Sequence, residues 1–179
     1  MGKMIEVTRD MIIAASDYMP NAEKEAWVTA TAKKCFDRLA ITSNGETMPE
    51  MYMINTGIKS RYLMTALVSK YFHQPYEADT TDDALISEAD YDRWAGGHIF
   101  GQLERWKKDY DLRNKCFDLL YDFNDLRNRL TSQIMGLLTI QNDSVLRQSQ
   151  YMDTQFKQLP QIIEQLKELT ARKGETDGD

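Results

Sequence analysis

The chain has 179 residues, 42% of them hydrophobic and 28% charged, which suits one folded domain, or one domain with a helical extension, and is too apolar for a disordered chain. Its 22 Lys and Arg against 28 Asp and Glu leave a net charge of −6, which argues against a protein that coats nucleic acid with a basic surface. No apolar run reaches the roughly 18 residues of a membrane span, the start Met1-Gly2-Lys3-Met4-Ile5-Glu6 has neither a signal-peptide core nor the Ser or Thr of a myristoylation motif, and a cytoplasmic location is expected.

Helical spacing dominates, and breakers are few, with 9 Gly and 4 Pro. Thr8 is a plausible cap for a short first helix through Met11, Ile12 and Ala15. Pro20 suits the first turn of a second helix. There Val28, Ala32, Cys35, Phe36 and Leu39 form one apolar stripe, which predicts a helix as far as Ile41. Asn44-Gly45 then marks a turn. The stretch from Pro49 carries Met48, Met51, Met53 and Met64, an adaptable apolar surface, and Gly57 weakens helix there. Ile58 to Phe72 reads as helix again, ended by His73-Gln74-Pro75. Ser87 can cap a short helix with Asp90 in capping-box position, Gly96-Gly97 interrupts it, and His98 to Lys108 forms the next.

The strongest pattern lies in the last third. Leu112, Cys116, Leu119, Phe123, Leu126, Leu130, Leu137 and Ile140 follow each other as a heptad seam, with Gln133 in one core slot. Asn142-Asp143 predicts a turn, and Val145, Met152, Phe156, Leu159, Ile163 and Leu166 make a second seam with Ser149 in one slot. Pro160 is expected to kink or restart that helix. The fold class read from these patterns is all-α, a helical bundle with a long antiparallel C-terminal hairpin. Residues 1–109 form its N-terminal helical region, 110–173 the hairpin and 174–179 a disordered tail. Phe117, Leu120, Met135 and Leu138 widen the apolar arc of the first long helix. Either the N-terminal helices cover it or a second copy does, through Phe123, Leu126, Leu130 and Leu137.

Charge is uneven. Residues 77–92 hold Glu77, Asp79, Asp82, Asp83, Glu88, Asp90 and Asp92 and no Lys or Arg, whereas 93–115 hold six basic residues against three acidic ones. Acids at a helix N-terminus explain two or three of the seven. The remainder reads as a contact surface beside Tyr76, Tyr91 and Trp94, since aromatic anchors next to charge are typical of interfaces. Such a surface steers a basic partner.

Catalytic chemistry is thinly represented. His73 and His98 are the two histidines, in no metal-ligand spacing, and Asp79-Thr80-Thr81-Asp82-Asp83 lacks the Gly and distal Glu of a calcium loop. No metal or cofactor is expected. Cys35 and Cys116 lie in apolar stripes and read as core thiols. Gly96-Gly97-His98-Ile99-Phe100-Gly101 lacks the Lys-Ser/Thr of a phosphate loop and reads as a hinge. Trp94, Arg105, Trp106, Lys107, Lys108 and Tyr110 mix aromatic and basic side chains, a weak signal for single-stranded nucleic acid. The expected function is therefore a non-enzymatic, protein-binding regulator, acting alone or as a homodimer. Its most specific form is a small acidic inhibitor that fills the basic cleft of a nucleic-acid enzyme, of the anti-CRISPR or anti-restriction type. Two alternatives stand: a metal-dependent helical nucleotide hydrolase using Asp118, Asp122 and Asp125, and a homo-oligomeric helical scaffold.

Overall fold

A computed structural model describes residues 3–39, 42–43, 46–47 and 51–176. It is mostly helical, with 69% of the described residues in helix. The order is α1 (Arg9–Ala14), α2 (Asn21–Ala32), β1 (Phe36–Leu39), β2 (Thr42–Ser43), β3 (Glu46–Thr47), β4 (Met51–Ile54), α3 (Thr56–Ala66), a π-helical turn (Leu67–Tyr71), α4 (Glu88–Gly96), α5 (Ile99–Trp106) and α6 (Arg113–Thr176). Two compact units emerge, Met1–Asp37 with Met53–Leu138, and Arg38–Tyr52 with Thr139–Asp179.

In the first unit the caps act as the residues suggest. Thr8 accepts from the Met11 N–H at 3.3 Å and Ser87 from the Asp90 N–H at 3.2 Å. The reciprocal half of a capping box is absent, because the Asp90 carboxylate instead accepts from the Glu77 N–H. The interior is a single cluster built on Ile12, Ala32, Cys35, Leu67, Tyr71, Phe72, Ile86, Leu103 and the α6 stripe Cys116, Leu119, Leu126, Leu130 and Ile134. Tyr71 meets Phe123 edge-on, and Phe72 stacks on Trp94. Ile134 points inward, and Gln133, one residue earlier, is exposed. The seam thus shifts by one residue to keep an amide out of the core.

Helix α2 stops at Ala32, well short of Ile41. The Lys34 and Cys35 N–H groups close a turn onto Thr31 and Ala32, and the Cys35 carbonyl accepts from the Asn55 N–H at 2.8 Å. The chain then continues as β1, which pairs with β4, while β2 runs antiparallel to β3 with Ser43 opposite Glu46. The short strands correct the all-α reading: the helical stripe ends where the Cys35 carbonyl is taken by the Asn55 N–H and β1 pairs with β4. Ile41, the Asn44-Gly45 turn, Met48 and Pro49 lie outside the described residues.

In the second unit the Tyr52 N–H donates to the Asn142 side chain at 3.1 Å. The backbone is helical through Asn142, Asp143 and Pro160 as far as Thr176. The turn expected at Asn142-Asp143 is therefore not formed, and Lys173 to Thr176 continue the helix. Residues 177–179 lie outside the description. A proline ring removes one ladder bond and opposes helix at about 3 kcal/mol, and the long run of good helix formers on either side carries the backbone across it.

Candidate functional site

The acidic segment is folded onto the first unit by its own carboxylates. Asp79 accepts from the Thr81 hydroxyl at 2.6 Å, the Thr81 N–H at 2.9 Å and the Arg61 guanidinium. The Thr81 hydroxyl and then Arg61 hold its carboxyl well below the usual range. Asp82 takes Lys34 Nζ at 2.7 Å, the Tyr62 hydroxyl and the Ala84 N–H. Lys34 and Tyr62 hold it down too, while burial and the Asp82 charge push the Tyr62 hydroxyl up. Asp90, 4% exposed, pairs with Arg93 at 2.8 Å. Glu88 lies 3.8 Å from Arg61, whose Nε also bonds the Ile86 carbonyl.

This corrects the contact surface read from the sequence. Asp79, Asp82 and Asp90 serve as internal anchors, and Trp94, 3% exposed, is core. Tyr76 and Tyr91 are half-buried, and Glu77, Asp83, Glu88 and Asp92 carry the exposed charge. The cause is local. A loop rich in Asp and Thr satisfies its own backbone with Asx-type bonds, and Lys34, Arg61 and Arg93 neutralise three of the acids.

Beside this segment lies an open groove of about 680 Å³. Met4, Met11, Pro75 and Tyr76 give it apolar walls, Glu6 and Glu77 its carboxylates, and Asp90 and Trp94 part of its floor. Four residues named from sequence (Tyr76, Glu77, Asp90 and Trp94) therefore meet there. One wall is the N-terminal segment, which Gln102 holds against α4 and α5. The Val7 N–H donates to Gln102 Oε1 at 2.7 Å, and Gln102 Nε2 donates to the Ile5 and Gly97 carbonyls at 3.1 and 2.6 Å. Gly97 is needed at this crossing, because a Cβ there would stand 2.3 Å from the Ile5 carbonyl oxygen. The glycine run is thus the expected break between helices, and it seats the N-terminal segment.

The three aspartates of α6 separate. Asp118 is exposed, whereas Asp122 and Asp125 share the ammonium of Lys24, 3% exposed, at 2.5 and 2.9 Å. Asp122 also accepts from the Tyr71 hydroxyl at 2.7 Å and the Met19 N–H at 2.8 Å, and Arg129 pairs with Asp125 at 2.9 Å. Burial acts to lower the Lys24 pKa, but bonds and charge from Asp122 and Asp125 outweigh it and hold it above the ordinary lysine value. Lys24 then Arg129 depress Asp125, and burial with the Asp122 bond pushes the Tyr71 hydroxyl up. Lys24 occupies the position a cation would need. Among the described residues no group of three His, Cys, Asp or Glu could hold a metal ion.

These directions set the pH dependence. Asp79, Asp82 and Asp125 have depressed folded-state pKa values, so their contribution is complete above the ordinary carboxylate range and is lost as pH falls through the folded values. Lys24 has a raised one, so its contribution persists to about its ordinary 10.5 and is lost above it. The melting temperature is expected to be level from about pH 5 to pH 9 and to fall steeply below about pH 4. Thermal melts across pH check this; a stability maximum below pH 4 contradicts it.

Phe123, Leu126 and Leu130 are buried in the first unit and Leu137 partly so. A second copy has no access to the first three. The wide arc is instead covered by the N-terminal helices, although Phe117 and Met135 remain about half exposed. Cys35 is fully buried, its thiol pushed up to about 11 by burial. His73 Nε2 lies 2.8 Å from the Ser16 hydroxyl, and no carboxylate bonds its ring among the described residues. Sequence reasoning passed over Lys24 and Gln102. Both stand on apolar stripes, Lys24 four residues before Val28 and Gln102 between Ile99 and Leu103, and a polar residue in such a place was the available signal. No described helix is long and apolar enough to cross a membrane. Comparisons with protein families, curated proteins and solved structures find no match.

Proposed function

We propose that the chain is a protein-binding regulator that takes a basic segment of its partner at the groove between the N-terminal segment and residues 74–77. The observation that supports it is the meeting of apolar walls with two rim carboxylates, Glu6 and Glu77, that have no ion-pair partner among the described residues. Its most specific form is an acidic inhibitor of a nucleic-acid-processing enzyme, in which Glu77, Asp83, Glu88 and Asp92 steer the approach to a basic cleft. A hydrolase centred on Asp122 is disfavoured because both carboxylates of its pair are committed to Lys24.

The test is a photo-crosslinking residue placed at Tyr76, with Tyr110, 92% exposed, as the control position. The expected result is an adduct with one protein of the source cell from position 76 alone. Glu77→Lys with Asp83→Lys depletes it more than tenfold at low salt, and the purified chain inhibits the captured enzyme. Equal labelling at both positions, or an adduct indifferent to the charge reversal, overturns the reading.

A scaffold reading has one observation in its favour. In the second unit Met152, Phe156, Leu159 and Ile163 follow a heptad seam and all stand exposed, Phe156 at 61%. It predicts a mass that rises with concentration and returns to monomer in Phe156→Asp. A monomeric mass at millimolar chain removes it.

A further inference from the structure

The N-terminal wall of the groove, residues 3–8, belongs to no strand, but its hydrogen bonds alternate as they do along a strand edge. The Ile5 N–H donates to the Arg93 carbonyl at 3.0 Å, and the Ile5 carbonyl accepts from Gln102 Nε2. The Val7 N–H donates to Gln102 Oε1, and the Val7 carbonyl accepts from Trp106 Nε1 at 3.0 Å. Every backbone group of residues 5 and 7 is thus turned to α4 and α5. Side chains alternate in the same way, with Val7 buried and Met4 and Glu6 exposed. In an extended chain the peptide groups of the intervening residues face the opposite side. Those of Met4 and Glu6 make no hydrogen bond among the described residues. Residues 3–6 line the groove, so a row of free donors and acceptors borders its apolar walls. Such an edge is a template for another strand.

We propose that this edge takes an extended basic–apolar segment of a partner protein as an added β-strand. The inference rests on the groove reading above and names its ligand chemistry. Main-chain bonds to Met4 and Glu6 supply register and part of the affinity. Alternate side chains of the added strand divide their contacts. Apolar ones reach Met11, Pro75 and Tyr76, and a Lys or Arg lies near Glu6 and Glu77. Among the described residues, those two carboxylates outnumber the one unpaired cation at the rim, Lys3, since Arg93 is engaged by Asp90. That balance favours a basic occupant.

The probe is a blocked heptapeptide of alternating valine and lysine, titrated at low salt and followed by amide shifts and amide exchange. The expected result is slowed exchange at the Met4 and Glu6 amides together with shifts at Tyr76. Met4→Pro deletes one donor of the edge and leaves the Ile5 and Val7 bonds in place; it weakens the peptide about tenfold or more. Met4→Ala, which keeps the donor, weakens it less than about threefold. Slow amide exchange retained at Ile5 and Val7 in Met4→Pro shows that the segment is still seated. Peptide that shifts Tyr76 while Met4 and Glu6 exchange freely, and that binds Met4→Pro as well as Met4→Ala, overturns strand addition and leaves the groove reading standing. No binding at millimolar peptide also overturns the inference, and the cross-linking at Tyr76 decides the groove reading separately.

Discussion

Asp122→Ala lowers the stability of the first unit by about 3–5 kcal/mol, the cost of breaking a buried ion pair from one side. The substitution removes a single carboxylate and strands three donors, the Lys24 ammonium, the Tyr71 hydroxyl and the Met19 N–H. Lys24 is the most expensive of these, since it is almost fully buried and Asp125 is then its one remaining counter-charge. Asp122→Asn keeps the shape and an acceptor but loses the charge, and falls between. Chemical denaturation of the two variants checks the order. A loss under about 1 kcal/mol for Asp122→Ala means that water reaches the ammonium, and that the Lys24 cluster is surface electrostatics.

Gln102→Ala costs about 2–4 kcal/mol and detaches the N-terminal wall of the groove. Its amide makes three bonds in a buried place, and its loss leaves the Val7 N–H and two carbonyls without partners. The effect exceeds that of an ordinary Gln truncation because the orphaned groups are main-chain atoms, three at once, in a close crossing of the N-terminal segment over Gly97. Fast amide exchange at Ile5 and Val7, together with weakened binding of the valine–lysine peptide, is the expected signature. Retained protection at Val7 shows that Trp106 and the Arg93 carbonyl hold the segment without Gln102.

The structure reassigns the surfaces that the sequence suggests. The acidic segment looked like free negative charge because sequence shows the run of carboxylates and hides what they face. Arg61 and Lys34 stand 18 and 48 residues from Asp79 and Asp82, and they turn these two carboxylates into anchors. The heptad seams misled in the opposite sense. The first is largely buried in the core of the first unit, and the second continues the same helix, because the backbone stays helical at Asn142-Asp143.

The helical class, the caps at Thr8 and Ser87, the break at Gly96-Gly97 and the buried stripe from Leu112 to Leu130 follow from the sequence by itself. Each depends on neighbours within one or two helical turns, where spacing and backbone sterics act directly. The end of α2 at Ala32, the pairing of Lys24 with Asp122 and Asp125, the bonds of Gln102 to Ile5 and Val7, and the groove at Tyr76 were decided by tertiary structure alone. Lys24 and Asp122 are 98 residues apart, and Gln102 and Val7 are 95. A polar group on an apolar stripe announces that a partner must exist, since burial without one costs several kcal/mol. Which distant residue supplies that partner is fixed only when packing brings the two stripes together.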